Sequence, residues 1–309
     1  VPPGRAPIEM AHHWHSAHDT VWALIGAWQA AAQAGRAVAP AERLSLLARV
    51  LELWDQVPDA ADRIGADHVR VLEEATSAAN EAGEFERGIA LASSALTELD
   101  PTAEPVRVAR LLENRGQFKK HLGRKDYPDD FSAALQIVPA DAAAARISVL
   151  LSAARCVPHI PTESSYAEEA LVLARQLGDE AREAEALMTL AMFQAGVGQE
   201  GGPDSDPIGL IEQARGMAER TGAYDQVAKA AINESHLLEG AGEHELAVAA
   251  ARRGLTDQDV HYLARASRSL LTVNQVEPLV ALGRWDEALA LADAARDLQL
   301  AALPLHGAT

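Results

Sequence analysis

Three short stretches of this chain carry the same pattern: Ala82-Gly83-Glu84-Phe85-Glu86, Ala241-Gly242-Glu243-His244-Glu245 and Leu282-Gly283-Arg284-Trp285-Asp286. Each ends one amphipathic helical run and opens another. Small residues recur behind each glycine: five positions on (Gly88, Ala247, Ala288), nine on (Ala92, Ala251, Ala292) and twelve on (Ala95, Gly254, Ala295). Gly242 and Gly283 are 41 residues apart, and Gly83 and Gly123 are 40 apart. A period of this length means a stack of helix pairs in which each pair packs only on its neighbours.

The glycines have a conformational reason. A tight connection between antiparallel helices needs one left-handed backbone position, which glycine reaches without steric cost. The small residues let helix axes approach closely. Phe85 and Trp285 read as core wedges beside the turns, with His244 replacing the aromatic in its own repeat. Gly83, Gly123, Gly242, Gly283, Trp285 and Ala288 are therefore the expected structural turn positions.

The apolar spacing is helical nearly throughout, and nothing reads as a run of strands. Met10–Ala17 predicts a short helix, followed by Thr20–Ala34, capped by Asp19 and stopped at Gly35. Another starts at Pro40 and runs to Val57. Six helix pairs then follow: 61–82 with 84–99, 104–122 with 129–138, and 140–157 with 163–177. The second three are 180–195 with 207–221, 224–241 with 243–254, and 257–282 with 285–300. Two places break the rhythm. Gly196–Pro207 inserts a polar, glycine-rich loop, and Tyr127-Pro128 displaces the turn motif after Gly123.

At 309 residues the chain is long for a single core, and no Pro/Gly/Ser linker divides it. Residues 48% hydrophobic but only 4% aromatic suit closely packed helices. A net charge of −18 argues against direct nucleic-acid binding, because phosphates would be repelled. The one cysteine, Cys156, excludes a disulfide framework and fits a cytoplasmic protein. No apolar run is long enough for a membrane span.

The sequence carries no motif for reactive chemistry. There is no GxxxxGK[ST] phosphate loop, and Gly201-Gly202 is followed by Pro203 and acidic residues. His12, His13, His15 and His18 crowd one short segment, without the cysteine or glutamate that would complete a metal set. Cys156 lies in an apolar helical stretch, the setting of an inert thiol. Glu73-Glu74 and Glu168-Glu169 are adjacent on helices, so they point in different directions. No catalytic residue, metal or cofactor is expected in this chain.

One polar constellation remains. Asn114, Asn233 and Asn274 each lie nine residues before a turn glycine, and Glu74 takes that place before Gly83. Asparagine inside a helix is locally unfavourable, so its recurrence asks for a reason. An amide ladder on the concave side could bind an extended peptide or polar ligand; alternatively, each amide fixes the stacking of neighbouring repeats.

The turns resemble tetratricopeptide repeats, with a longer period. Other segments resemble, in order, the helical sensor region of large ATP-binding regulators of the LuxR type, of the STAND class. These are Ala11-His12-His13-Trp14 with Ala17-His18-Asp19, Ala39-Pro40-Ala41-Glu42, and Leu51–Asp59 with its Trp54. They continue with Glu168–Asp179, Ala231–Gly242 and Asn274–Ala288. The resemblance implies an all-α, right-handed superhelix of tetratricopeptide-like pairs over 19–309, preceded by a connecting helix over 1–18. It implies a sensor and protein-interaction arm that takes a small-molecule or protein effector and controls the ATPase and helix-turn-helix domains of a parent polypeptide. Self-association is left open, and a free-standing tetratricopeptide adaptor is the alternative.

Overall fold

The computed structural model describes residues 20–37, 39–156, 163–195, 206–256 and 265–300. The expected helix over 10–17, the cap at Asp19, the histidine cluster and the 196–205 insertion lie outside them. Two compact units divide at Val157/Pro158, and each is all-helical among the described residues.

The first unit contains α1 (Thr20–Arg36), α2 (Pro40–Leu53), a single 3-10 turn at Trp54–Gln56, and the short α3 (Ala60–Ile64). Then come α4 (His68–Ala82), α5 (Phe85–Glu98), α6 (Pro105–His121), α7 (Tyr127–Ile137) and α8 (Ala143–Cys156). The second contains α9 (Glu163–Leu177), α10 (Glu180–Gln194), α11 (Pro207–Thr221), α12 (Tyr224–Gly240), α13 (His244–Thr256), α14 (Arg265–Val273), α15 (Val276–Ala281) and α16 (Trp285–Leu300). Sequential helices pack as antiparallel neighbours. First helices also touch the first helix of the next pair: α4 with α6, α6 with α8, α10 with α12, and α12 with α14. That layering is the helical-repeat architecture the period predicts.

All four turn glycines close the same motif. Gly83, Gly123, Gly242 and Gly283 have φ of 74°, 67°, 79° and 74°. In each, the glycine N–H donates three residues back, and the next residue donates five back. The second bond is 2.9 Å long in every case: Glu84 to Ala79, Arg124 to Lys119, Glu243 to Leu238 and Arg284 to Leu279. This is the Schellman closure, which satisfies the last carbonyls of the first helix. The irregularity after Gly123 lies downstream of the closure, where the next helix starts at Tyr127.

Helix starts follow their local chemistry. Asp67 accepts from Arg70 N at 2.5 Å, Asp179 from Arg182 N at 3.1 Å and Asp206 from Gly209 N at 2.8 Å. Two expected long helices are broken. The 61–82 run stops at Gly65 (φ 70°) and restarts behind the Asp67 cap. Asn274-Gln275 interrupts the last first helix between α14 and α15. Gly35 does not stop α1, which runs to Arg36.

The cores are built from alanine, leucine and valine. Ala92, Ala95, Val108, Ala109, Leu111 and Ala134 are buried together in the first unit; Leu187, Ile211, Ala214 and Ala230 are in the second. Gly88 shows why small residues recur: a Cβ there would lie 2.6 Å from the Phe118 ring. Gly254 is equally confined, with Ala231 Cβ at 2.8 Å. Ala288 is buried as expected, at 2% exposed.

Trp285 is not the expected core wedge. It is 66% exposed, whereas Phe85, at the same place in its repeat, is half-buried and stacks on His121 at 4.5 Å. Phe85 is covered by Phe118 and His121 of α6, the first helix of the following pair.

Candidate interaction surface

α6 makes contacts towards α7, towards α8 and towards the preceding pair α4 and α5. Towards α7, Gly116 meets the Phe131 ring, and Arg115 and Lys119 reach Asp130. Towards α8, the buried Glu113 carboxylate accepts from Ser148 Oγ at 2.9 Å and Ser152 Oγ at 2.6 Å, and Gln117 Nε2 donates to Ser152 Oγ at 2.9 Å. Arg110 and Asn114, one helical turn apart, lie on the stripe shared by Arg107, which reaches Glu73 of α4, and His121, which stacks on Phe85 of α5. Arg110 is exposed and Asn114 half-buried. The same side of α12 carries exposed Lys229 and half-buried Asn233. A cation thus precedes the amide by four residues in both units.

Asn274 behaves differently. Its Nδ2 donates to Ile232 O at 3.2 Å and to Ser235 Oγ at 2.9 Å, both on α12. This amide ties one first helix to the previous one. At the fourth equivalent position, Glu74 is held by Arg43 and by Arg70. The four positions do not form one uniform row of amides.

A second polar position recurs one residue closer to the glycine, unmarked by any unfavourable helix propensity. Eight residues before Gly123, Gly242 and Gly283 stand Arg115, Glu234 and Gln275. Arg115 forms a two-pronged pair with Asp130, Nη2–Oδ1 2.6 Å and Nε–Oδ2 3.0 Å. Glu234 takes Arg215 at 2.8 Å and Arg253 at 2.5 Å, from the second helices on either side. Gln275 is 2% exposed, donates to Leu271 O at 3.0 Å, and accepts from Arg252 at 3.3 Å. These side chains tie the two helix layers together. Polar residues recurring on an otherwise apolar stripe were the available signal.

Arg107 bridges α4 to the start of α6, reaching Glu73 at 2.8 Å, Asp67 at 3.2 Å and Glu104 at 2.7 Å. Its bond to Glu73, with further bonds to Asp67 and Glu104, raises the guanidinium pKa. The Arg107 hydrogen bond, followed by the backbone bond from Arg70, holds the Asp67 carboxyl below its ordinary value against partial burial. Burial pushes the Cys156 thiol up, against the pull of Lys120 and Arg155, so it is a poor nucleophile. Among the described residues, no group of three or more His, Cys, Asp or Glu side chains could hold a metal, and no helix is long and apolar enough to cross a membrane.

No family model matches the chain, and no curated protein matches it. Solved structures do. A Rap protein complexed with Competence and Sporulation Factor is 13% identical, with 91% of this chain and 87% of that chain covered at a TM-score of 0.55. BtubC (BKLC) from P. vanneervenii is 16% identical, with 88% and 97% covered at a TM-score of 0.37. The likeness to the Rap protein is one of fold: this chain is an all-α, tetratricopeptide-like helical repeat.

Proposed function

We propose that this chain is a protein-interaction module, in which a first helix of each unit offers contacts for an extended peptide or polar ligand. The supporting observation is the cation–amide pair that recurs on a first helix of each unit, exposed Arg110 with half-buried Asn114 and exposed Lys229 with half-buried Asn233. A guanidinium or ammonium can hold a carboxylate, and an amide can both donate to and accept from a peptide backbone. The fold shared with a Rap protein crystallised in complex with Competence and Sporulation Factor is consistent with this use.

The finer reading places the module as the sensor arm of a cytoplasmic transcription regulator. Ligand binding there would release the ATPase and DNA-binding domains of a parent polypeptide. It rests on the ordered sequence likeness to LuxR-type STAND regulators. Immunoprecipitation of the native polypeptide from its own cells tests it. A product about three times this length that hydrolyses ATP supports the regulator, since three or more ordinary domains need that length. A product of this chain's own length with a stoichiometric protein partner supports the free-standing adaptor. A short product with no bound partner or ligand defeats both.

A further inference from the structure

The positions sixteen, thirteen and nine residues before a turn glycine fall on one stripe of the first helix, because steps of three and four return a side chain to the same side. In three of the four repeats a neighbouring helix takes up the first or the last of them. Before Gly83 they include Asp67, which takes Arg107, and Glu74, which takes Arg43 and Arg70. Before Gly123 the first is Arg107, which reaches Glu73 of α4 at 2.8 Å. Before Gly283 the last is Asn274, bonded to Ile232 O and Ser235 Oγ of α12.

On α12 the same three positions hold Gln226, Lys229 and Asn233. Gln226 Oε1 is buried and has no hydrogen-bond partner. Lys229 is exposed and Asn233 half-buried, and neither side chain forms a hydrogen bond or ion pair among the described residues. Arg107, at the place of Gln226, points to the previous first helix, which puts Gln226 on the α10 side of α12. Both of those helices are described along their whole length. Buried polar side-chain atoms nearly always have a partner. An unmatched acceptor one turn from an unpaired cation and an unbonded amide therefore calls for a ligand that supplies all three.

We infer that this stripe of α12 is a subsite for a group bearing an N–H and a free carboxylate on one carbon, as a free α-amino acid or the last residue of a peptide does. The N–H donates to Gln226 Oε1. The carboxylate accepts from Lys229 Nζ and from Asn233 Nδ2. Gln226 and Lys229 are about 4.5 Å apart along the helix axis, a separation that one amino-acid residue spans with its two polar ends. A ligand with a carboxylate alone would leave Gln226 Oε1 unmatched, and one with an amine alone would meet the charge of Lys229. α6 lacks the acceptor, because Arg107 fills that place and is used by α4, so the chemistry is particular to the second unit. The inference rests on the reading of the first helices as ligand-binding and specifies what the α12 half of it takes.

The test uses the full chain and three probes: short peptides of randomised sequence with free C-terminal carboxylates, the same library with C-terminal amides, and a pool of the standard L-amino acids. Bound species are retained by ultrafiltration and identified by mass spectrometry. Members of the free-carboxylate library or of the amino-acid pool should be enriched, and which of the two it is separates the sources; the amidated library should not be. Affinity for a resynthesised member should fall at least about tenfold in Gln226→Leu, Lys229→Ala and Asn233→Ala, and stay unchanged in Arg110→Ala. Gln226→Leu should keep or raise the melting temperature, because an apolar group replaces an unmatched polar one. No enrichment from any probe overturns the inference, as does equal enrichment of the amidated library. A lower melting temperature in Gln226→Leu also overturns it, by making that amide a structural one. Binding that survives all three α12 variants but is lost in Asn114→Ala overturns this subsite and leaves the broader ligand-binding reading standing.

Discussion

Arg115 and Glu234 occupy the same place in the repeat, eight residues before the turn glycine, with opposite charges. Each is tied to the second-helix layer by ions of the other sign: Arg115 to Asp130, and Glu234 to Arg215 and Arg253. The fold requires a paired polar group there, not a particular charge. Because Asp130 and Glu234 are each 5% exposed at the side chain, removing a partner strands a charge with little water to receive it.

Asp130→Ala should therefore destabilise the first unit by about 3 kcal/mol, the low end for breaking a buried pair, since Arg115 keeps some access to water. Urea denaturation followed by circular dichroism measures it. A loss below about 0.5 kcal/mol would mean that the pair is an ordinary surface bridge.

Gly88 and Gly83 separate the two roles of glycine in this chain. A Cβ at Gly88 would sit 2.6 Å from Phe118, whereas a Cβ at Gly83 meets nothing within 4 Å. Gly88→Ala should cost about 1–3 kcal/mol through overpacking, and Phe118→Leu in the same molecule should recover much of it. Gly83→Ala should cost about 1–2 kcal/mol through its φ of 74° alone, with no rescue by Phe118→Leu. Thermal melts of the four variants distinguish these patterns, and equal rescue of both glycine variants would contradict the assignment.

Asn274 and Asn233 are likewise equivalent in sequence and different in place. Asn274→Ala should lower stability by about 1 kcal/mol, the usual net worth of its bonds to Ile232 O and Ser235 Oγ. Asn114→Ala and Asn233→Ala, at half-buried positions without the bonds that Asn274 makes, should change it by less than about 0.5 kcal/mol. Titration of whichever ligand is identified should show the reverse order of effects on affinity. A stability loss for Asn233→Ala equal to that for Asn274→Ala would assign both amides to stacking.

Much of the fold is legible because its signals are local. A glycine that closes a helix announces itself in a few residues, and all four closures occur where the spacing puts them. What depends on neighbours is not legible in the same way. Trp285 reads as a wedge because Phe85 is one, yet Phe85 owes its cover to Phe118 and His121 of another helix, and Trp285 is exposed among the described residues. The stacking position held by Arg115, Glu234 and Gln275 escapes notice because arginine, glutamate and glutamine on a helix look like ordinary surface residues. Asparagine one position earlier stands out through its poor helix propensity, though only Asn274 among the three makes an inter-repeat bond. The break at Asn274-Gln275 falls four residues before Pro278, which has no N–H to offer the Asn274 carbonyl, a local signal that the helical periodicity masks.

The acid response should centre on the bridge between α4 and α6. Arg107 holds Asp67 below its ordinary value of 3.8, so the folded state favours the ionised carboxylate. A depressed carboxylate contributes stability that is fully present above the unfolded value and is lost as pH falls through the folded one. Wild-type protein should keep its urea midpoint from pH 7 down to about pH 5 with respect to this group, and lose stability below about pH 4. Arg107→Gln removes the cation that depresses Asp67, so it should lower the midpoint at pH 7 and flatten the decline between about pH 4 and pH 2. Urea midpoints at pH 7 and pH 3 for both proteins decide the matter. An unchanged acid slope in Arg107→Gln would mean that other carboxylates, and not Asp67, carry the loss.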